Sequence, residues 1–207
     1  GADNASYKEN TTRGLSNYMG NPDNSSISKE WTAIYKLIER ANLCVEGIKA
    51  SPAMATSDST DMKAYMGEAM TLRALAYFEL VKNWGDVPFK FESTKYDLSN
   101  VYIPPTNRDT IYDYLITDLM LAEKYVPWVK SSKYPTVEKV TKGFVKGLIA
   151  RIALFRGGYS IRNKPGFPTE RGADWRKYYA IANQQCKEIM QQGVHQLNTN
   201  YIDVWKK

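Results

Sequence analysis

One histidine and two cysteines in 207 residues leave little room for metal or thiol chemistry. A zinc site normally takes four protein ligands, or three and a water, and Cys44, Cys186 and His195 do not make such a set. A Ser–His–Asp or Cys–His device could use His195 alone. That residue follows Gly193-Val194 and reads as a surface or helix-end position. No apolar run approaches the ~20 residues that a membrane-spanning helix needs. There is no phosphate-cradling glycine loop; Gly157-Gly158 reads as a helix stop. A glycosidase needs two carboxylates roughly 5 to 10 Å apart across a cleft, and no acidic residue stands out from solvated helix faces. The 28 basic and 22 acidic residues, net +6, are spread along helices and form no runs. Nucleic-acid binding needs a basic patch or stripe, so no nucleic-acid partner is expected. Neither a catalytic residue nor a cofactor or metal is expected.

Aromatic residues, by contrast, are plentiful: 15 Tyr, 5 Trp and 6 Phe. The chain is organised around the stretch from Gly67 to Phe89. Met66, Ala69, Met70, Ala74, Tyr77, Leu80, Val81 and Trp84 recur at the three-and-four spacing of a helix face. A second set, Leu72, Leu75, Ala76 and Phe78, covers much of the other side, which predicts a helix buried on most sides. Gly85 and Pro88 stop it. Arg73 stands on this apolar helix. An unpaired buried charge is very costly, so a structural ion pair is the expectation and ligand binding the alternative.

The rest reads as helices joined by long loops. Residues 1–27 are polar, rich in Asn, Ser, Asp and Gly, and read as an irregular segment. Ser28 is the expected cap of a helix to about Lys49, with Asn42 on its apolar side bonding a backbone group. Asp61 is expected to cap the central helix. Phe89 to Glu92 alternates as a short strand would. Thr106 to Asp109 fits a capping box before a helix to Val126. Thr141 is expected to cap a helix to about Arg156, in which Gly143 and Gly147 suggest a close helix crossing. Ser160 to Gly172 reads as a loop, and Asp174 as the cap of a last helix, Trp175 to Gln192, closed by Gly193. Cys44 and Cys186 each fall in a helical apolar pattern, as buried free thiols do; the spacing leaves open whether they pair. The fold class is all-α, with 62–84 paired to 107–126 and 142–156 to 175–192. Ala74 with Phe78 and Ala150 with Leu154 resemble the small-then-large packing of tetratricopeptide repeats, interrupted by long loops.

Glu68-Ala69, Leu72-Arg73-Ala74, Tyr77-Phe78 and Trp84-Gly85-Asp86-Val87-Pro88 together resemble the hallmark segment of the SusD/RagB family of surface glycan-binding lipoproteins of Bacteroidetes. Trp31, Tyr35, Ile38, Ala41 and Asn42 resemble the family's preceding helix. Thr106, Arg108, Tyr112, Ile116, Asp118, Leu119 and Ala122 resemble the following one, and Thr141, Lys142, Gly143, Lys146, Leu148, Ala150 and Arg151 the next. The order and spacing fit from about Trp31 to Trp205.

The resemblance implies a non-catalytic protein that captures a glycan or other nutrient at the outer-membrane surface. It implies a SusC-like TonB-dependent transporter as partner, over which the protein sits as a lid. It also implies residues 1–207 as one helical domain of a longer lipoprotein. The family's secretion signal and lipid-anchored cysteine find no match here, since Gly1-Ala2-Asp3-Asn4 is polar; the sequence thus reads as an internal fragment. The candidate ligand residues are Tyr18, Asn17, Asn21 and Asn24, an aromatic ring among amides. Such a ring packs on the C–H face of a pyranose while amides bond its hydroxyls. Tyr7, Trp128 and Tyr159 are further loop rings. Arg73, Trp31, Tyr77, Trp84 and Gly85 are expected to be structural. A tetratricopeptide-type protein–protein scaffold is the rival reading, and an all-helical carbohydrate-active enzyme a third.

Overall fold

The computed structural model describes residues 24–205, apart from positions 137 and 198. Among the described residues five α-helices carry the fold: α1 Ser25–Ala50, α2 Ser59–Trp84, α3 Arg108–Tyr125, α4 Lys142–Gly157 and α5 Trp175–Gln192. Two antiparallel pairs of two-residue strands complete it. β1 Val87–Pro88 pairs with β2 Pro105–Thr106, and β3 Ser160–Ile161 with β4 Thr169–Glu170.

Consecutive helices pack side by side and run antiparallel, as the partners across each pair show. Trp31, early in α1, meets Trp84 at the end of α2, while Asn42, later in α1, bonds Arg73. Phe78 faces Tyr112 and Gly67 faces Val126 between α2 and α3. Arg156 pairs with Asp113, and Lys146 with Glu123, between α4 and α3. Gly157 meets Tyr179 and Lys146 meets Glu188 between α4 and α5. Sequence pairing found α2 with α3 and α4 with α5. It did not give α2 its second partner α1, nor α3 its second partner α4.

Helix α2 is the core element. Ala74, Tyr77, Phe78, Leu80 and Val81 are 0% exposed, because α1 covers one flank and α3 the other. Of these, Phe78, Leu80 and Val81 each contribute roughly 1.5–3 kcal/mol on burial. Leu72 departs from the expectation and is exposed. Close helix approaches lie at Gly67, where an added Cβ would stand 2.6 Å from Val126 Cγ2 and 3.1 Å from the Ala122 carbonyl oxygen, and at Gly157, where it would stand 2.8 Å from the Tyr179 ring and 3.0 Å from the Trp175 carbonyl oxygen. They do not lie at Gly143 or Gly147. Gly143 faces the His195 ring, and Gly147 faces open space.

Several boundaries differ from the sequence reading. The irregular segment 1–27 gives way to α1 at Ser25, capped by Asn24, whose Oδ1 accepts from Ser26 N at 3.0 Å; Ser28 is already helical. Asp61 lies in the first turn of α2, not at its cap. Asn107, not Thr106, caps α3, because Thr106 is drawn into β2. Thr141 caps α4 as expected. Asp174 stands at the start of α5 without a side-chain cap bond, because its carboxylate is taken by Arg156. The short strand after α2 is Val87–Pro88, not 89–92, and the 160–172 loop contains the β3–β4 hairpin. Cys44 and Cys186 are free and exposed, on the outer faces of α1 and α5, and not in the core.

Candidate functional site

The hallmark segment forms a corner of the fold, and each of its residues has a physical task. Gly85 ends α2 at φ 74° and ψ −118°, a left-handed setting that a side chain strains. Asp86 Oδ1 accepts from Arg108 N at 2.9 Å and so helps to cap α3 across the loop. Val87 is fully buried. The Pro88 carbonyl accepts from Tyr35 Oη at 2.8 Å. Tyr77 Oη donates to the Lys90 carbonyl at 2.8 Å and accepts from Lys90 N at 3.0 Å. Burial pushes the Tyr77 phenol up to about 12 and raises Tyr35 as well.

Arg73 completes the corner. Its guanidinium donates to Asp118 Oδ2 and to Asn42 Oδ1, both at 2.8 Å, and lies 4.0 Å from the centre of the Phe91 ring. Asn42 Nδ2 in turn donates to the Glu92 carbonyl. This is the structural pairing expected of Arg73, made through its two terminal nitrogens, while its Nε is buried with no hydrogen-bond partner among the described residues. Burial raises the Asp118 carboxyl, and Arg73 offsets part of that rise.

Trp31 and Trp84 meet edge to face, with centroids 5.3 Å apart, at the outside of the corner. Grooves open on either side of Trp84. One, of ≈ 600 Å³, runs between the first turns of α1 and the end of α2 and is lined by Ser26, Ile27, Glu30, Ile34, Glu79, Asn83 and Trp84. The other, of ≈ 360 Å³, lies between the end of α2, the start of α3 and the β3–β4 hairpin. Lys82, Asn83, Asp86, Arg108, Asn163 and Phe167 are among its lining residues. A third, ≈ 390 Å³, separates Trp31 and Tyr35 from the 89–104 loop. Indole and phenyl faces beside amides and charges are what a sugar site requires.

Of the residues singled out for ligand binding, Tyr18, Asn17 and Asn21 lie outside the described residues, as does Tyr7. Asn24 stands at the N-terminus of α1, next to Ser26 and Ile27 of the larger groove, with its side-chain oxygen engaged as a cap. Trp128 is half-buried near His195, with ring centroids 6.4 Å apart, and Tyr159 is exposed with Arg171 over its ring. His195 is exposed, as read. Among the described residues no three His, Cys, Asp or Glu side chains are grouped to hold a metal ion.

The sequence reading passed over the supports of the 89–104 loop. Glu46 accepts from Ser93 N and Oγ at 2.7 and 2.6 Å, and Glu39 accepts from Thr94 N at 2.7 Å. Ser93 holds the Glu46 carboxyl below its usual value. The braced loop presents Tyr96 and Tyr102, both fully exposed. A second missed cluster joins Arg156 to Asp113 and Asp174, with Tyr178 Oη donating to Asp113 at 2.5 Å. Nothing in the spacing of these residues marks them as partners.

Comparison with known proteins places this architecture. SusD-like protein P38 of Formosa agariphila is 33% identical over 129 residues, which are 62% of this chain and 24% of that protein. The chain spans between 24% and 30% of the length of the curated relatives it matches. Among solved structures, a SusD homologue from Bacteroides thetaiotaomicron superposes with a TM-score of 0.78 at 23% identity, over 94% of this chain and 35% of that one. A laminarin-binding SusD-like protein superposes with a TM-score of 0.68 at 24% identity, over 93% of this chain and 37% of that one. These two likenesses establish the helical fold. The sequence profile SusD-like_3, described as starch-binding and associating with the outer membrane, matches residues 2–154. With the tetratricopeptide-like helices, the Arg73 node and the Trp84–Pro88 corner in place, the chain belongs to the SusD-like family.

Proposed function

We propose that this chain is the helical part of a non-catalytic glycan-binding protein at the outer-membrane surface. The family match over residues 2–154 carries this reading. A relative that binds laminarin supports a glycan as the ligand class. Residues 1–207 act as one helical unit whose packed helices hold loops in place, and function sits on such loops. The glycan contacts are Tyr18, Asn17 and Asn21, with Asn24 fixing the end of that segment beside the Trp84 grooves. The outer faces of a helical array suit docking to a large partner. We assign them to a SusC-like TonB-dependent transporter, to which the bound oligosaccharide is delivered.

The test is affinity electrophoresis of the chain and its Tyr18→Ala variant in gels containing starch, laminarin or xyloglucan. Retardation by at least one polysaccharide, relieved by Tyr18→Ala, is expected. Equal mobility in every gel removes the glycan from the proposal. Release of reducing ends by the pure protein, lost on changing one carboxylate, overturns the non-catalytic reading.

A further inference from the structure

The groove on the α3 side of Trp84 contains a cation with no carboxylate partner among the described residues. Arg108 begins α3 with its guanidinium carbon 5.8 Å from the Tyr112 ring centre, and its Nε and the Tyr112 hydroxyl are both buried with no hydrogen-bond partner among the described residues. No carboxylate among them lies within ion-pairing distance of its guanidinium, although two acids stand close by. Both are committed elsewhere. Asp86 accepts from the Arg108 backbone N–H, and Asp109 pairs with Arg162 at 2.8 Å. Arg162 is 8% exposed, so its ion pair with Asp109 is a fixed wall of the groove and not a floating surface contact. Arg108 as a whole is only partly buried and lines the groove, and a guanidinium is best satisfied by two oxygens of one planar or tetrahedral anion. The start of α3 adds its own positive field.

Apolar faces stand beside this cation. Trp84 closes one side, and Phe167 closes another from the β3–β4 hairpin. Phe167 is 68% exposed and sits at φ 44°, held by its N–H bond to the Lys164 carbonyl at 2.9 Å. The hairpin therefore keeps an aromatic ring in solvent at a backbone cost, which a packing role does not require. Asn83 and Asn163 supply amides at the rim. The groove volume, ≈ 360 Å³, falls in the roughly 300–1,000 Å³ range of small-ligand clefts.

We propose that this groove takes an acidic sugar residue of a glycan, a uronate or a sulfate ester, with Arg108 on the anion and Trp84 and Phe167 against the ring. The inference rests on the glycan-binding reading above and narrows its ligand class. A uronate and a sulfated sugar share the chemistry that Arg108 selects, and the test separates them.

Binding of the chain to dextran, dextran sulfate and polygalacturonate is measured by isothermal titration in moderate salt. Arg108→Gln, Phe167→Ala and the remote exposed control Lys187→Gln are run alongside, with thermal melts to verify folding. Preference for dextran sulfate over dextran assigns a sulfate ester, and binding to polygalacturonate assigns a uronate. Arg108→Gln is expected to weaken the preferred polyanion by about tenfold or more, since it removes a charge-assisted bond. Phe167→Ala, which changes no charge, is expected to weaken it several-fold. Lys187→Gln should leave binding unchanged. Equal losses from Arg108→Gln and Lys187→Gln mean diffuse attraction to a basic protein and overturn the site. Binding of laminarin or starch with no response to either acidic polymer overturns this inference and leaves the glycan reading standing. Binding to none of them overturns both.

Discussion

Removing Arg73 puts the corner under the severest load. In Arg73→Leu, Asp118 keeps its buried position, 13% side-chain exposure, and loses its counter-charge. Asn42 Oδ1 loses its donor, and the Phe91 ring loses the cation 4.0 Å from its centre. Breaking a buried pair from one side costs about 3–5 kcal/mol. For a chain of this size each kcal/mol moves the melting temperature by about 2–4 °C, so a fall between about 6 and 20 °C is expected. The double variant Arg73→Leu/Asp118→Leu removes the stranded carboxylate. Its remaining defect is the unpaired Asn42 oxygen, worth about 1–3 kcal/mol. The double should therefore be more stable than Arg73→Leu alone. Acid should narrow the deficit of the single variant. A carboxyl raised by burial binds its proton more tightly in the folded than in the unfolded state, so stability recovers as pH falls through the folded value. Guanidinium denaturation followed by tryptophan fluorescence at pH 7 and pH 5, with m-values compared across variants, measures all of this. Costs for Arg73→Leu and Asp118→Leu that add within about 0.5 kcal/mol would refute the coupling.

Other parts of the fold give sharper local tests. Gly67→Ala gains about 1 kcal/mol of helix propensity but drives a methyl into Val126 and Ala122, an overpacking of about 1–3 kcal/mol, so net destabilisation is expected. The same change in a Val126→Ala background should lose most of that cost, and an equal cost in both would sink the close-approach argument. Gly143→Ala meets only the tip of the exposed His195 ring and should be neutral or stabilising in a thermal melt. Glu46→Gln should speed hydrogen exchange at the Ser93 amide, and an unchanged rate would mean that the loop is braced from elsewhere. In the wild type the same release is expected on acidification: Glu46 is held below its usual value, so its contribution is present above the ordinary carboxylate range and lost as pH falls through the folded value. Cys44 and Cys186 should both react with a thiol reagent in the native protein without denaturant; two slow phases released only by denaturant would place them inside.

Legibility from sequence followed the physics of each signal. The ends of α2, α4 and α5 were readable because Gly85, Gly157-Gly158 and Gly193 are glycines where the helix stops. The burial of α2 was readable because its apolar residues are too many for one face. Arg73 was readable as a paired charge because its surroundings left it no alternative. Helix starts were harder to place. Thr106 and Asn107 are equally able caps, and the choice is made by the strand that takes Thr106. Asp174 shows the converse, a competent cap diverted to an arginine from another helix. The cysteines were misread because the stripe of an edge helix fades gradually into its outer face. Of the proposed ligand set, Asn24 alone falls in the described residues, and there it caps a helix. The Arg108 groove was illegible because it joins three segments that only the fold brings together.

The order of the helices in space repeats their order along the chain, each packing principally on its predecessor and its successor. A contact map so close to the diagonal asks for few distant loop closures, so the chain should fold quickly for its length. Protection should also be graded: α2, α3 and α4 are flanked on two sides, and α1 and α5 principally on one. Opening then begins at the outer helices and moves inward, like a stack losing its end members first. The corner at Trp84 lies between α1 and α2, so the first helix to peel away would take half of the Trp31–Trp84 contact with it.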